Sequence, residues 1–235
     1  MNYLRKVWLK FFPQFTKSDD LVRNLKKKGV AIGKGTKFYS PYTISLDVQR
    51  PWMLSIGEYC KITAGCVILV HDYSRSVIRR SHNVILGEAG KTVIGNNVFI
   101  GMNSIILMGT HIGNNCIVGT GSVVKGTFPD NSVIAGNPAK VVCSLDEYVE
   151  KRKSRYEAEA VLYASEFYKK YQRMPNEQEM GPFFPLFLKR DRQELKDKNI
   201  FVTWTGDEPE EIIECFMNST PKYDGINDFF NVNLK

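Results

Sequence analysis

Residues 92–139 read TVIGNNVFIGMNSIILMGTHIGNNCIVGTGSVVKGTFPDNSVIAGNPA, and the reading of this stretch decides the fold. Ile94, Ile100, Ile106, Ile112, Val118 and Val124 recur six residues apart, and Gly95, Gly101, Gly113 and Gly119 follow four of them directly. An α-helix spaces its apolar residues by three and four, and a half-buried strand alternates them by two. A period of six fits neither. It fits a chain that makes a short strand, turns and repeats, with each β-branched side chain pointing into one shared core. Three hexads close one triangular rung of about 18 residues, so the stretch supplies two rungs.

Working outward, the same period begins upstream at Ile32, Phe38 and Ile44, breaks over residues 47–52, and resumes at Ile56, Ile62 and Ile68. That rung ends at Val70, His71, Asp72 and Tyr73. Residues 74–91 lose the pattern and are polar and basic, with Arg75, Arg79, Arg80 and His82. They read as a loop ejected from one corner of the coil, and long loops between regular elements often carry function. Downstream, Ser144 and Glu147 form a capping box. Tyr148, Arg152, Tyr156, Ala160, Ala164 and Tyr168 then recur at helical spacing, which predicts one long helix that covers the open end of the repeat. The domain reading is a basic helical arm over 1–29, with a short helix from Asp19 to Lys28 that Ser18 can cap, and a repeat domain over 30–143 with its loop at 74–91. An extension over 144–235 follows, built on a helix at 145–173 and then a mixed segment with a strand near 199–205 and a helix near 208–218.

Composition bounds the function. The 235 residues are 43% apolar and carry a net charge of +7. No apolar run approaches the roughly 20 residues of a membrane span, and the N-terminus shows no secretory h-region. Residues 1–28 hold eight lysines and arginines against two aspartates, interleaved with Trp8, Phe11, Phe12 and Phe15. This segment is a candidate peripheral contact with an anionic membrane surface, or an arm packed on its own domain. No nucleic-acid-binding motif accompanies the charge. The five cysteines form no C-x-x-C pair and lie at no metal-ligand spacing, so no metal is expected; Cys60 and Cys66, six residues apart on the repeat, read as small buried hydrophobes in a reducing cytoplasm.

Three histidines limit the choice of catalyst. His71, at the mouth of the ejected loop, is the candidate general base. His82 lies within the loop and His111 on the repeat. From Ile56-Gly57-Glu58 through Val70-His71-Asp72-Tyr73-Ser74, over Ile94-Gly95-Asn96-Asn97-Val98-Phe99-Ile100-Gly101, to Ala135-Gly136-Asn137-Pro138-Ala139-Lys140, the chain resembles the hexapeptide-repeat acyltransferases. These are left-handed parallel β-helices, and the branch resembled includes maltose, galactoside and xenobiotic acetyltransferases and the O-acetyltransferases of bacterial surface polysaccharides. The resemblance covers roughly residues 30–143. It implies an all-β left-handed parallel β-helix with an N-terminal helical arm and an α-helical C-terminal extension.

It also implies transfer of an acetyl group from acetyl-CoA, as co-substrate, to a sugar hydroxyl of a capsular or lipopolysaccharide glycan or its precursor. His71 would act as base in a ternary complex without an acyl-enzyme, in a cytoplasmic homotrimer, at the inner face of the membrane if the basic arm anchors it there. The resemblance puts coenzyme A against Met102, Thr120, Lys125, Gly126 and Lys140. The carbohydrate acceptor falls to Asp72, Tyr73, Arg79 and His82. A backbone N–H near residues 99–102 would meet the thioester oxyanion, and a backbone carbonyl, rather than Asp72, would hold the imidazole. Competing readings are acetylation of a small free sugar or antibiotic, and a non-catalytic sugar-binding β-helix. A zinc-dependent carbonic anhydrase on the same fold needs three histidines around the metal, and this chain lacks the third at the right coil.

Overall fold

The computed structural model describes residue 14, residues 16–200 and residues 207–234. The described part of its first unit, Met1–Tyr148, is built on a triangular coil of parallel strands that begins at Ala31. One face stacks Ala31–Ile32, Leu54–Ile56, Thr92–Ile94, His111–Ile112 and Thr127–Phe128. A second stacks Lys37–Phe38, Lys61–Ile62, Phe99–Ile100, Ile117–Val118 and Ser132–Gly136, and the third Ser45–Leu46, Val67–Ile68, Ile105–Ile106 and Val123–Val124. Most strands are two residues long, which explains the period: one residue faces inward, one outward, and a turn uses the rest. Register follows the repeat. Ile56, Ile94, Ile112 and Phe128 lie in line on the first face, as do Phe38, Ile62, Ile100, Val118 and Ile134 on the second and Leu46, Ile68, Ile106 and Val124 on the third. These side chains form the buried core, with Leu46 half-buried against it.

The turns that join the faces select small and amide side chains. Asn97, Asn103, Asn115 and Asn131 adopt the left-handed backbone conformation that asparagine tolerates. Asn97, Asn115 and Asn131 also bond one another coil to coil at 3.0 Å. At Gly57 the coils approach so closely that a Cβ would lie 2.4 Å from the Gly95 carbonyl oxygen and 2.4 Å from Asn96 Oδ1. Gly57→Ala is therefore expected to cost about 1–3 kcal/mol, read as a fall in the thermal midpoint. Gly87→Ala, which meets nothing within 4 Å, is the control.

Three expectations change. The third inward residue of the first coil is Leu46, paired with Ile68, and not Ile44, because a 3-10 turn at Pro41–Thr43 shifts the phase by two residues. The N-terminal helix runs Ser18–Lys27, one residue earlier than read. Ser18 Oγ does not cap it but accepts the Phe38 N–H at 2.9 Å, and Leu25 packs into the core, so the helix covers the first coil. The ejected loop is not wholly irregular: Arg75–His82 is an α-helix with no buried residue. At the other end of the coil, Ala139–Ser144 folds back antiparallel on Ser132–Gly136 and closes the second face.

The second unit, Val149–Lys235, contains most of the helix Leu145–Tyr171. The capping box forms at its start: the Ser144 N–H donates to Glu147 Oε2 at 2.7 Å and the Glu147 N–H to Ser144 Oγ at 3.1 Å. Ala160 and Ala164 on this helix let Phe184, Phe187 and Leu188 pack close, with Phe216 and Phe229 from the helices Pro209–Met217 and Ile226–Asn233. The apolar run at 183–187 thus finds its partners within its own unit. Most of the expected strand at 199–205, and residues 1–13 and 15 with Trp8, Phe11, Phe12 and Phe15, lie outside the described residues. Among the described residues no helix is long and apolar enough to cross a membrane.

Candidate active site

The corner between the third face and the first is where the coil opens. The strand Val67–Ile68 leads into Leu69, Val70 and His71, and the chain then leaves the coil and returns at Gly90. The neck is pinched shut. The Gly90 N–H donates to the Val70 carbonyl at 3.1 Å, Thr92 Oγ1 donates to the Leu69 carbonyl at 2.7 Å, and Arg50 Nη1 donates to the Glu88 carbonyl at 2.7 Å. His71 is therefore fixed at the base of an ejected segment, 6% exposed.

Its imidazole is held by Asp47, one coil earlier. Leu46 is in register with Ile68, which carries Asp47 up beside the segment that holds His71. Asp47 Oδ2 accepts the Val70 N–H at 3.2 Å, the His71 N–H at 3.1 Å and the ring Nδ1–H of His71; Oδ1 accepts the Gln49 N–H at 3.1 Å. Burial pushes the Asp47 carboxyl up, but the Gln49 and Val70 N–H groups and the bond to His71 outweigh it and hold the group below its ordinary value. A carboxylate only accepts, so the neutral ring carries its proton on Nδ1 and presents a lone pair at Nε2. Among the described residues, His71 Nε2 is the buried side-chain polar atom with no hydrogen-bond partner. Such an atom is rare enough to require a reason, and a base awaiting a substrate proton is one.

The imidazole is thus held by a carboxylate, where sequence reasoning expected a backbone carbonyl. Asp47 was missed because it opens the stretch where the repeat loses phase. The signal available was an acidic residue directly after an inward aliphatic, Leu46, one coil before the histidine.

Asp72 does turn away from the ring, as expected: its Oδ1 accepts the Ser74 N–H at 2.8 Å and Ser74 Oγ–H at 2.7 Å, which sets the start of the loop helix. Tyr73 packs edge-on against His71 with centroids 5.2 Å apart, and its hydroxyl accepts from Gln49 Nε2 at 2.8 Å. Tyr73 and Arg79 line a cavity of about 270 Å³ with Arg75, Ser76, Ile85 and Leu86. His82 is exposed at the end of the loop helix, its Nδ1 2.7 Å from Ser81 Oγ, and is not part of that lining.

The residues expected to meet coenzyme A fall on two edges. Met102 and Thr120 stack at the corner between the second and third faces, where a Cβ on Gly101 would lie 2.5 Å from the Thr120 N. Lys140 pairs with Ala135 beside the same corner, next to the cis Asn137–Pro138 bond. Lys125 and Gly126 instead occupy the corner that His71 occupies two coils away. The expected oxyanion donor divides similarly. The Phe99 and Gly101 N–H groups are used between coils, on Cys116 and Val118 carbonyls, and residues 99–102 lie away from the His71 corner of the same chain.

Covalent catalysis by Cys60, Cys66 or Cys116 has no support here. Cys60, Cys66 and Cys116 are core residues, and burial pushes each thiol up, away from the reactive thiolate. Among the described residues no three histidine, cysteine or carboxylate side chains gather as metal ligands would.

Comparisons with known proteins agree with the geometry. Residues 91–125 match the family model described as a hexapeptide repeat of succinyl-transferase. The chain is 39% identical over 148 residues to protein CapG of Staphylococcus aureus, covering 63% of this chain and 83% of that one. It is 31% identical over 126 residues to YvoF of Bacillus subtilis, whose name proposes an acetyltransferase, covering 54% of this chain and 67% of that one. Over 119 residues it is 43% identical to the galactoside O-acetyltransferase of Escherichia coli, covering 51% of this chain and 57% of that one.

Proposed function

This chain belongs to the hexapeptide-repeat acetyltransferases, left-handed parallel β-helices, and from that premise we propose that it is an O-acetyltransferase that moves the acetyl group of acetyl-CoA to a hydroxyl of a sugar. The sugar belongs to a capsular or lipopolysaccharide glycan or its precursor, met on the cytoplasmic side where acetyl-CoA is available. The observation that carries the reading is the His71–Asp47 pair: a buried imidazole with Nδ1 on a carboxylate and Nε2 unpaired.

In the reaction, His71 Nε2 takes the proton of the sugar hydroxyl as its oxygen attacks the thioester carbonyl. A sugar hydroxyl ionises far above neutral pH, so a base within hydrogen-bond reach is what makes attack possible. Asp47 stabilises the imidazolium that forms, without itself taking the proton. When the tetrahedral intermediate collapses, the carbon–sulfur bond breaks and the imidazolium returns its proton to the sulfur, leaving the acetyl ester and free coenzyme A thiol. A backbone N–H of residues 99–102 stabilises the oxyanion.

Because those residues and His71 lie on different edges of one coil, the complete site needs a second copy, and we place it between neighbouring subunits of a homotrimer. Light scattering on the eluted full chain should give three chain masses, and a monomer that remains active would remove this part of the reading. The activity is tested with purified full chain, acetyl-CoA and a panel of glycans. Thiol release should depend on the acceptor and be matched by a gain of one acetyl group per acceptor. A panel of neutral and acidic glycans that yields no acceptor-dependent thiol would overturn the proposal.

A further inference from the structure

The cavity beside His71 is charged on one side and apolar on the other. Arg75, Ser76 and Arg79 fall three and four residues apart on one face of the helix Arg75–His82, so they present together. Ile85 and Leu86, on the returning segment, supply an apolar wall, and both are well exposed. Tyr73 forms the end nearest the base, its ring edge against His71. At about 270 Å³ the cavity sits just below the range of roughly 300–1,000 Å³ usual for drug-sized ligands, a size for one sugar residue.

The two guanidinium groups have little to do within the fold. Arg75 Nη1 donates to the Asp72 carbonyl at 3.4 Å and its charge helps hold the Asp72 carboxyl below its ordinary value, whereas Arg79 makes no ion pair among the described residues. The nearby carboxylates do not line the cavity: Asp72 is occupied by Ser74, and Glu88 Oε2 lies 3.5 Å from Ser74 Oγ. Two arginines facing a cavity that holds no acidic side chain form a seat for an anion, because the guanidinium fork pairs bidentately with carboxylate and phosphate oxygens.

We infer that this cavity takes the anionic group, carboxylate or phosphate, of an acidic sugar, and so selects acidic over neutral glycans as acceptors. The inference rests on the acetyl-transfer reading for its consequence, but its test does not require turnover. The tyrosine and the apolar wall hold the C–H faces of the ring, Arg79 and Arg75 hold the charge, and a hydroxyl of the same sugar is turned toward His71.

The full chain, without acetyl-CoA, is titrated with methyl glucuronide, glucose 1-phosphate and methyl glucoside, with dissociation constants read by calorimetry or ligand-observed NMR. At least one anion should bind about tenfold or more tighter than the neutral glucoside, and the carboxylate and phosphate arms tell which group is preferred. Added salt should weaken the anion and leave the glucoside unaffected. Arg79 is exposed, so Arg79→Gln should fold, and it should reduce the anion-to-neutral ratio to within about twofold, while Arg79→Lys keeps part of it. Equal binding of all three sugars, or discrimination unchanged in Arg79→Gln, overturns the inference. Acceptor-dependent thiol release, measured separately, reports on acetyl transfer, so a failure of either is read without the other.

Discussion

Replacing His71 with alanine lowers the rate constant for acetyl transfer by about 10²- to 10⁴-fold and leaves acetyl-CoA binding within about twofold of wild type. The rate falls because His71 Nε2, the buried side-chain polar atom left without a partner among the described residues, is the group set to take the acceptor's proton. His82 is exposed at the end of the loop helix and His111 is exposed on the first face. Asp72 is committed to Ser74, and Asp47 is turned to backbone N–H groups. Binding survives because the residues assigned to coenzyme A lie on other coils. The fold survives because Asp47 keeps three backbone N–H donors when the ring is removed, those of Gln49, Val70 and His71 itself. His71→Gln, which keeps polarity without a base of suitable strength, should fall to the same level. Thiol release from the two variants and calorimetric titration with acetyl-CoA check this. A variant that turns over at the wild-type rate removes His71 from the mechanism.

The coil was legible because the sequence repeats its physics: an inward aliphatic every six residues, with turns that need glycine or asparagine. Reading failed where that repetition stops. Between Leu46 and Ile68 the coil takes in the 3-10 turn Pro51–Met53, so counting by sixes lost Asp47. The loop helix Arg75–His82 buries nothing, so no apolar stripe announced it. Its start is fixed by an Asp72 side chain that a periodicity argument does not weigh. The helix Ile226–Asn233 does carry an apolar face in Ile226, Phe229 and Phe230, but only eight residues make it too short to stand out from its surroundings. The histidine itself was visible because it is one of few and falls where the repeat breaks. What the sequence could not convey is which earlier residue touches it, since that contact depends on register between coils.

That contact gives the second large effect. Asp47→Asn should lower the rate constant by about a hundredfold or more with the Michaelis constant for acetyl-CoA unchanged, although one side chain nearly matches the other in shape. The carboxylate can only accept, and so fixes the proton of the imidazole on Nδ1. An amide can turn its NH₂ toward Nδ1, which moves the ring proton to Nε2 and removes the lone pair that the acceptor hydroxyl needs. It also withdraws the negative charge that stabilises the imidazolium during attack. A merely structural Asp47 would not change the tautomer, so ¹⁵N spectra of the His71 ring separate the two accounts: the mutant should show Nε2 protonated and Nδ1 bare. The carboxyl of Asp47 is held below its ordinary value in the fold. Its contribution to stability is therefore complete above the unfolded aspartate value of about 3.9 and is lost as pH falls through the lower folded value. The stability gap between wild type and Asp47→Asn should then narrow as pH drops below about 4, measured by denaturant unfolding at a series of pH values. A gap that widens in acid, or a mutant with wild-type turnover and an unchanged ring tautomer, would show that Asp47 does not orient the base.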